Sequence, residues 1–415
     1  MDTTITTSMV RTETRSYQVV LFTLCFLSSA IGGAVSTLMS VYLPVAVREL
    51  LGNTTPEELN RISAYINALF IFGWAFGGFT WGIISDAIGR KSSLLLAIGC
   101  YGVFTILTGL MPTWWGVMIG RFVSGFGVGG VLVISFTLIS EVWPPKSRQV
   151  FAGILSIAFP VGIFSAGLIN FLVGSWREGF LVGIIPVVIS LIGILLIQES
   201  DYWKQQVADN KKRSGTVPEL FSPAHRSKVI TGALIFGTML IGLWAIFSWL
   251  PTWVQSISGT ADAQEERGMS MMLMGIGGLT GGFVSGWLAN ALGLYRSMLL
   301  CFTACAVLSA VLFKTNTHLS TVTYVEIASL ALFFGASQGV LSSFIPQLFP
   351  VGMRATATGF CFNVGRLVTG TAVLFVGVMV AGLGGYGNAL FIFSLVFVIG
   401  LIVLFARRAA INNQH

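Results

Sequence analysis

Twelve apolar stretches, each long enough to cross a bilayer, follow one another along this 415-residue chain. A spanning helix needs about 20 apolar residues, because each residue rises about 1.5 Å against about 30 Å of hydrocarbon. The stretches run over residues 18–47, 61–84, 92–111, 114–138, 150–172, 178–197, 229–256, 269–289, 297–313, 322–345, 355–381 and 386–406. In lipid every backbone donor and acceptor must be satisfied within the protein. Runs this long and this continuous therefore predict an all-α integral membrane protein. Composition agrees, with 54% apolar and 9% charged residues against roughly a quarter charged in an ordinary soluble domain. The 49 glycines would weaken soluble helices, whereas small residues let membrane helices approach closely.

Charge sets the orientation. With both termini on one side, sixteen lysines and arginines fall on that side and five on the other. Positive loops stay in the cytoplasm, so cytoplasmic termini are expected, and compact loops and tails fit a bacterial inner membrane. The start through Tyr17 is polar, and the first apolar run continues without a small-residue cleavage site, so span one is read as retained. The predicted organisation is a tail 1–17, a six-helix bundle 18–198, a cytoplasmic linker 199–228, a second six-helix bundle 229–406 and a tail 407–415. The linker carries ten charges in 30 residues, and Pro218 and Pro223 interrupt its helical potential. Trp114, Trp115 and Trp176 fall at span ends and read as interfacial belt residues.

The two halves repeat each other. Gly78, Phe79, Gly82, Asp86 and Gly89 recur as Gly282, Phe283, Gly286, Asn290 and Gly293, all offset by 204. Pro144, Arg148 and Gly153 recur as Pro350, Arg354 and Gly359, offset by 206. Two multi-residue patterns at nearly one offset indicate internal duplication, an architecture in which solute sites lie between the repeats. The net charge of +7 is dispersed among loops and does not indicate nucleic-acid binding. The five cysteines all lie in apolar runs without metal-like spacing, and no nucleotide loop or nucleophile–base pair is apparent. His225, His318 and His415 lack catalytic partners in the sequence. An enzyme, a cofactor and ATP as the energy source are all disfavoured.

The stretch Gly82-Ile-Ile-Ser-Asp86-Ala-Ile-Gly89-Arg90-Lys91, between spans two and three, resembles the cytoplasmic motif of the major facilitator superfamily. Arg121-x-x-x-Gly125-x-Gly127-x-Gly129 resembles a second motif of that family, and Glu141 with Arg148 resembles its acidic–basic pair after span four. The resemblance implies two pseudo-symmetric six-helix bundles and a secondary transporter that works by alternating access, most similar to organic-acid and sugar proton symporter branches. It assigns gating to Gly82, Asp86, Gly89, Arg90, Lys91, Glu141, Arg148 and Arg354. Asp86 is expected to bridge to an Arg or a helix N-terminus across the two halves. Asn290 and Gln347 replace the acids in the second half, so that copy is expected to make weaker, neutral contacts. Span five carries Pro160-Val-Gly162 rather than the Gly-Pro pair typical of the family's drug antiporters.

Two arginines, Arg121 in span four and Arg366 in span eleven, lie inside spans. A charge at the bilayer centre costs about 2.5–3.5 kcal/mol on insertion scales, so each needs a partner. Span one has no acid between Glu13 and Glu49, and Glu326, near the outer end of span ten, is the acid placed within a span. The missing negative charge is expected to arrive with the solute, and Arg matches a carboxylate bidentately. An organic anion is the predicted substrate, bound by Arg121, Arg366, Asn363 (at i−3 from Arg366), Asn67 and Gln338. Phe362-Asn363-x-Gly365-Arg366 and Trp249-Leu-Pro251-Thr-Trp253 resemble stretches in the organic-acid branches. Other readings stay open. Arg121 as a tie to backbone carbonyls, Arg366 paired with Glu326, and Asn67 and Gln338 as interhelical hydrogen bonds all fit the sequence. Trp74 and Trp244 fit either solute contact or packing. Glu326 is the candidate proton carrier. The protein is expected to act as a monomer. A sugar or polyol carrier and a non-transporting sensor are the alternatives.

Overall fold

The computed structural model describes residues 15–406 apart from 53, 209–219, 224, 261 and 351–353. Twelve helices long and apolar enough to span a membrane are found among the described residues. They are span one (Arg15–Leu51), two (Pro56–Ile88), three (Arg90–Leu110), four (Trp114–Val142), five (Val150–Leu172), six (Trp176–Leu196), seven (Arg226–Ser258), eight (Gln264–Leu292), nine (Leu294–Thr315), ten (Thr321–Gln347), eleven (Ala357–Met379) and twelve (Tyr386–Ala406). Several overshoot the apolar stretches because polar residues continue the helix beyond the hydrocarbon. The start of the expected linker is also helical, over Asp201–Ala208.

Local chemistry fixes the ends. Thr55 caps span two by accepting from Glu58 N, with Pro56 as its first helical residue. Ser320 and Thr323 form a reciprocal capping box at span ten. Spans two and three are joined at Gly89, φ +101°, and spans eight and nine at Gly293, φ +78°. The repeat seen in the sequence is thus a repeated glycine turn, at a backbone angle that side chains with a Cβ resist.

Packing follows one plan twice. Span two lies along span four as eight lies along ten, and one lies on five as seven lies on eleven. The first six and last six spans meet through span two on eleven and span five on eight. Large apolar side chains such as Ile83, Leu172, Leu195 and Trp287 remain exposed on the outside, where lipid would cover them. Trp115 is exposed, in keeping with a belt position, but Trp176 is not. It is 1% exposed and donates from Nε1 to Glu49 Oε2 at 2.7 Å. An indole with a hydrogen-bond partner from span one is better placed inside than at a lipid interface.

The glycine series of span four has a geometric reason. A Cβ on Gly125 would overlap the carbonyl oxygen of Phe70, and one on Gly129 that of Trp74. Backbone contact between spans two and four thus sets where the Phe70 and Trp74 rings emerge. Gly129→Val should force those helices apart and cost about 1–3 kcal/mol, seen as a lower melting midpoint of the detergent-solubilised protein. Gly153→Ala, inside a helix where an added Cβ meets nothing within 4 Å, should melt at or slightly above the wild type. Equal midpoints for the two variants would remove the close-packing explanation.

Candidate functional site

Where spans two, five, seven and eleven converge, aromatic rings from both halves meet. Trp74 of span two stacks on Phe159 at 5.4 Å and meets Trp244 of span seven edge-on at 5.2 Å. Trp74 and Trp244 are each 4% exposed, so both have central rather than lipid-facing positions. The cluster continues through Phe247 to Phe334. Arg366 lies against this cluster, its Cζ 4.9 Å from the Trp74 ring centroid. Its Nη1 donates to Asn363 Oδ1 at 3.1 Å, and its Nε has no partner. Asn363 in turn donates to Gly359 O and lies directly against Gly78 of span two, where a Cβ would strike the amide. Arg366 stays half-buried, whereas Arg121 is sealed. The Arg366 guanidinium, with Nε buried and unpartnered, lacks an ion pair among the described residues.

Arg121 is handled differently. At 1% exposure it donates from Nη1 to Val35 O at 2.7 Å and from Nη2 to Ser36 O at 3.2 Å. Its Cζ sits 3.9 Å from the Phe70 ring centroid, a cation–π contact that partly replaces lost hydration. Of the readings open for this residue, the geometry realises the backbone tie, although its Nε remains unpartnered. Phe70 and Trp74 are one turn apart, with ring centroids 6.2 Å from each other. The two arginines thus rest on neighbouring rings of one helix.

The remaining candidates scatter. Asn67 donates from Nδ2 to Ser248 O at 3.3 Å, tying span two to span seven. Gln338 is half-buried on span ten with its Nε2 unpartnered. Glu326 accepts from Asn316 Nδ2 at 2.6 Å, at the turn between spans nine and ten. It does not pair with Arg366. Glu326 is in the second turn of span ten, while Arg366 faces span two midway along span eleven, so the chain never brings them together.

On the side of the termini, charges form a compact network. Arg90 donates to Asp86 Oδ1 at 2.6 Å, to Ser85 O at 2.9 Å and to Glu141 Oε1 at 3.1 Å. Glu141 also accepts from Ser200 Oγ at 2.7 Å. Glu199 accepts from the backbone N–H groups of Arg90 and Lys91 and so caps span three. Trp203 donates to Asp86 O, and Lys91 Nζ to Ile194 O. The bridge from Asp86 seen here runs to Arg90 on its own half. Arg148 does not pair with Glu141, which Arg90 has taken, and donates instead to Trp143 O at 3.2 Å. Gly82 has open space around it. Arg354 begins the helix of span eleven, and its side chain lies outside the described residues.

Hydrogen bonds between the first six and last six spans, among the described residues, all lie on the side away from the termini. They are Asn67 to Ser248 O, Tyr386 Oη to Asn60 Oδ1 at 2.5 Å, and Gln264 Nε2 to Asn170 O at 2.9 Å and to Phe171 O at 3.4 Å. A cavity of about 370 Å³, lined by Arg48, Thr54, Leu59, Asn60 and Tyr386 among others, opens on that face. The far side is latched.

Comparison with known proteins is decisive on family. The family model described as Major Facilitator Superfamily matches residues 21–373. The chain belongs to that superfamily. It is 28% identical over 334 residues to a probable 4-methylmuconolactone transporter of Cupriavidus pinatubonensis, covering 78% of this chain and 76% of that one. It is 26% identical over 375 residues to the cis,cis-muconate transport protein of Acinetobacter baylyi, covering 87% of each. The solved structure of a D-xylose-proton symporter superposes with a TM-score of 0.77 at 16% identity, over 94% of this chain and 97% of that one. This superfamily member is a membrane transporter and not an enzyme.

Residues that matter were missed from sequence. Glu199 and Ser200 read as the first residues of a linker, yet they complete the superfamily motif around Arg90. Arg267 falls just outside the apolar stretch 269–289, where it counts among the five basic residues of the loops away from the termini, yet it is 1% exposed inside span eight. Neither has a spacing signal, because their partners come from other spans. Removing Arg90 leaves Glu141, whose side chain is 6% exposed, buried without its cation. Arg90→Ala should therefore destabilise by about 3–5 kcal/mol, and Glu141→Gln by less, because Arg90 keeps Asp86. Melting midpoints in detergent give the ranking, and an Arg90→Ala variant as stable as wild type would discard the network.

Proposed function

We propose that this transporter carries a small organic anion, a carboxylate attached to an unsaturated or aromatic body, by alternating access. One observation carries the reading. Arg366 holds a guanidinium that donates to the neutral side chain of Asn363 and whose Nε is buried without a partner, over a tryptophan, at the meeting of the two halves. A cation so placed in low dielectric calls for an anion. The carboxylate would take the free edge of Arg366 and the amide of Asn363, and its flat body would lie against Trp74 and Trp244. The names of the muconolactone and muconate carriers among its relatives support the same substrate chemistry. Asn67 and Gln338 are assigned to the walls of the path, Gln338 for its unpartnered amide. Arg121, engaged with span one, supplies positive potential rather than a direct contact.

The working unit is a monomer, built from bundles 18–198 and 229–406 joined by the linker 199–228. The excess of Lys and Arg on the side of the termini supports a cytoplasmic location for that side, in what we take to be a bacterial inner membrane. The latched face is then the outer one, and the structure corresponds to the state closed to the outside. Asp86, Arg90, Lys91, Glu141, Arg148 and Arg354, with Gly82 and Gly89 at the turn, are assigned to the cytoplasmic gate. Proton symport is assigned to Glu326, which sits half-buried at the outer end of span ten against Asn316.

Proteoliposome uptake tests the anchor. With labelled benzoate and cis,cis-muconate as probes, Arg366→Gln should raise KM by about ten- to a hundredfold, the worth of a charged hydrogen bond. Arg366→Lys should recover part of it. Unchanged KM in Arg366→Gln, or competition by xylose where carboxylates fail, would replace the anion with a neutral solute. Glu326→Gln should abolish accumulation under an imposed pH gradient while leaving solute exchange intact. Continued accumulation would move the proton to another residue.

A further inference from the structure

Nothing in the central site uses Arg267. It enters span eight from the outer side and is 1% exposed. Its Nη1 donates to Gln255 Oε1 at 2.9 Å, and its nearest carboxylate, Asp262, stands 3.8 Å away with a side chain 74% exposed. Water screens such a pair, so it offsets little of the desolvation of the buried partner. The Arg267 Nε has no partner at all.

Across the interface, Asn170 of span five is fully buried, and neither its Nδ2 nor its Oδ1 has a partner. Spans five and eight touch backbone to backbone here: a Cβ on Gly167 would lie 2.6 Å from Gly268 O, and one on Gly268 2.9 Å from Gly167 O. Tyr42 of span one gives its hydroxyl proton to Val173 O at 2.6 Å, and its hydroxyl faces the Asn170 side chain. Arg267 and Asn170, both buried with unused hydrogen-bonding capacity, thus stand on the touching turns of spans eight and five, with Tyr42 of span one beside Asn170. Buried polar atoms are almost always satisfied. An orphaned guanidinium Nε and an orphaned amide Nδ2, both donors, call for the same kind of ligand.

We propose that Arg267, Asn170 and Tyr42 form a second, outer carboxylate station on the transport path, separate from the central Arg366 station. The carboxylate accepts from Arg267 Nε and Asn170 Nδ2. Gln264 holds Asn170 O and Phe171 O at the same place, so the station lies within the outer latch. Spans five and eight must part to load or empty it, which makes it the first stop for an anion arriving from outside. The inference rests on the carboxylate reading of the central site.

Equilibrium binding of labelled benzoate to the purified full chain in detergent tests it, with melting midpoints in acetate and in chloride measured alongside. Two benzoates per wild-type chain are expected, with one lost in Arg267→Gln and the other in Arg366→Gln. Asn170→Asp places a carboxylate of the chain's own beside Arg267. It should raise the melting midpoint and remove the outer equivalent, whereas a site already satisfied would be destabilised by the added charge. Full wild-type binding in both Arg267→Gln and Asn170→Asp overturns the outer station alone. Binding lost in Arg267→Gln and untouched in Arg366→Gln overturns the central anchor and keeps the outer one. A midpoint that rises with chloride but not acetate, and does so only when Arg267 is present, makes the site a halide site. Absence of any carboxylate binding to the wild type overturns both.

Discussion

A guanidinium inside a bilayer must find something to replace water, and this molecule answers that demand in four different ways. Arg90 has two carboxylates and a backbone carbonyl. Arg121 has two carbonyls of span one and an aromatic face. Arg267 has one amide and a distant, wet carboxylate. Arg366 has one amide and a tryptophan. The first two are close to complete and behave as struts. The last two are incomplete, and incompleteness in low dielectric is what a ligand can exploit. The functional reading grows out of that gradation rather than out of any single motif.

Support for the central arginine begins in the backbone. Glycines of span four let span two approach until carbonyl oxygens set the distance. That contact aims Phe70 and Trp74 inward, one turn apart, each under a guanidinium. A small-residue series, usually read as packing, thereby determines where positive charge can be tolerated. The aromatic rings contribute more than area, since their faces are the electron-rich partner that lipid tails cannot offer.

Much of this was legible in the sequence. Twelve spans, the glycine turns at Gly89 and Gly293 and the family were readable because hydropathy and glycine placement are local properties. Arg366 and Asn363 were readable as neighbours on one helix face because i and i−3 share it. What failed was pairing across spans. Glu141 and Arg148 are near in sequence but Arg90 reaches the acid first, and Glu199 crosses from the linker to cap span three. Trp176 and Arg267 were assigned to the interface and a loop by position alone, and tertiary packing buries both. Spacing along one helix predicts neighbours, but three-dimensional competition for a partner does not show in spacing.

The latch on the far face has a consequence for the rate of the cycle. It consists of neutral hydrogen bonds, Tyr386 to Asn60, Asn67 to Ser248 O and Gln264 to Asn170 O. Each is worth about 0.5–1.5 kcal/mol net, so together they amount to a few kcal/mol, a barrier that thermal motion crosses often. Among the described residues no ion pair joins the halves there, so ionic strength has little hold on that latch. The charged cluster at the opposite face ties residues of the first six spans and the start of the linker to one another, so it stiffens that half. A carrier closed on one face by a handful of neutral contacts behaves like a door on a light catch, which a small push from within is enough to release.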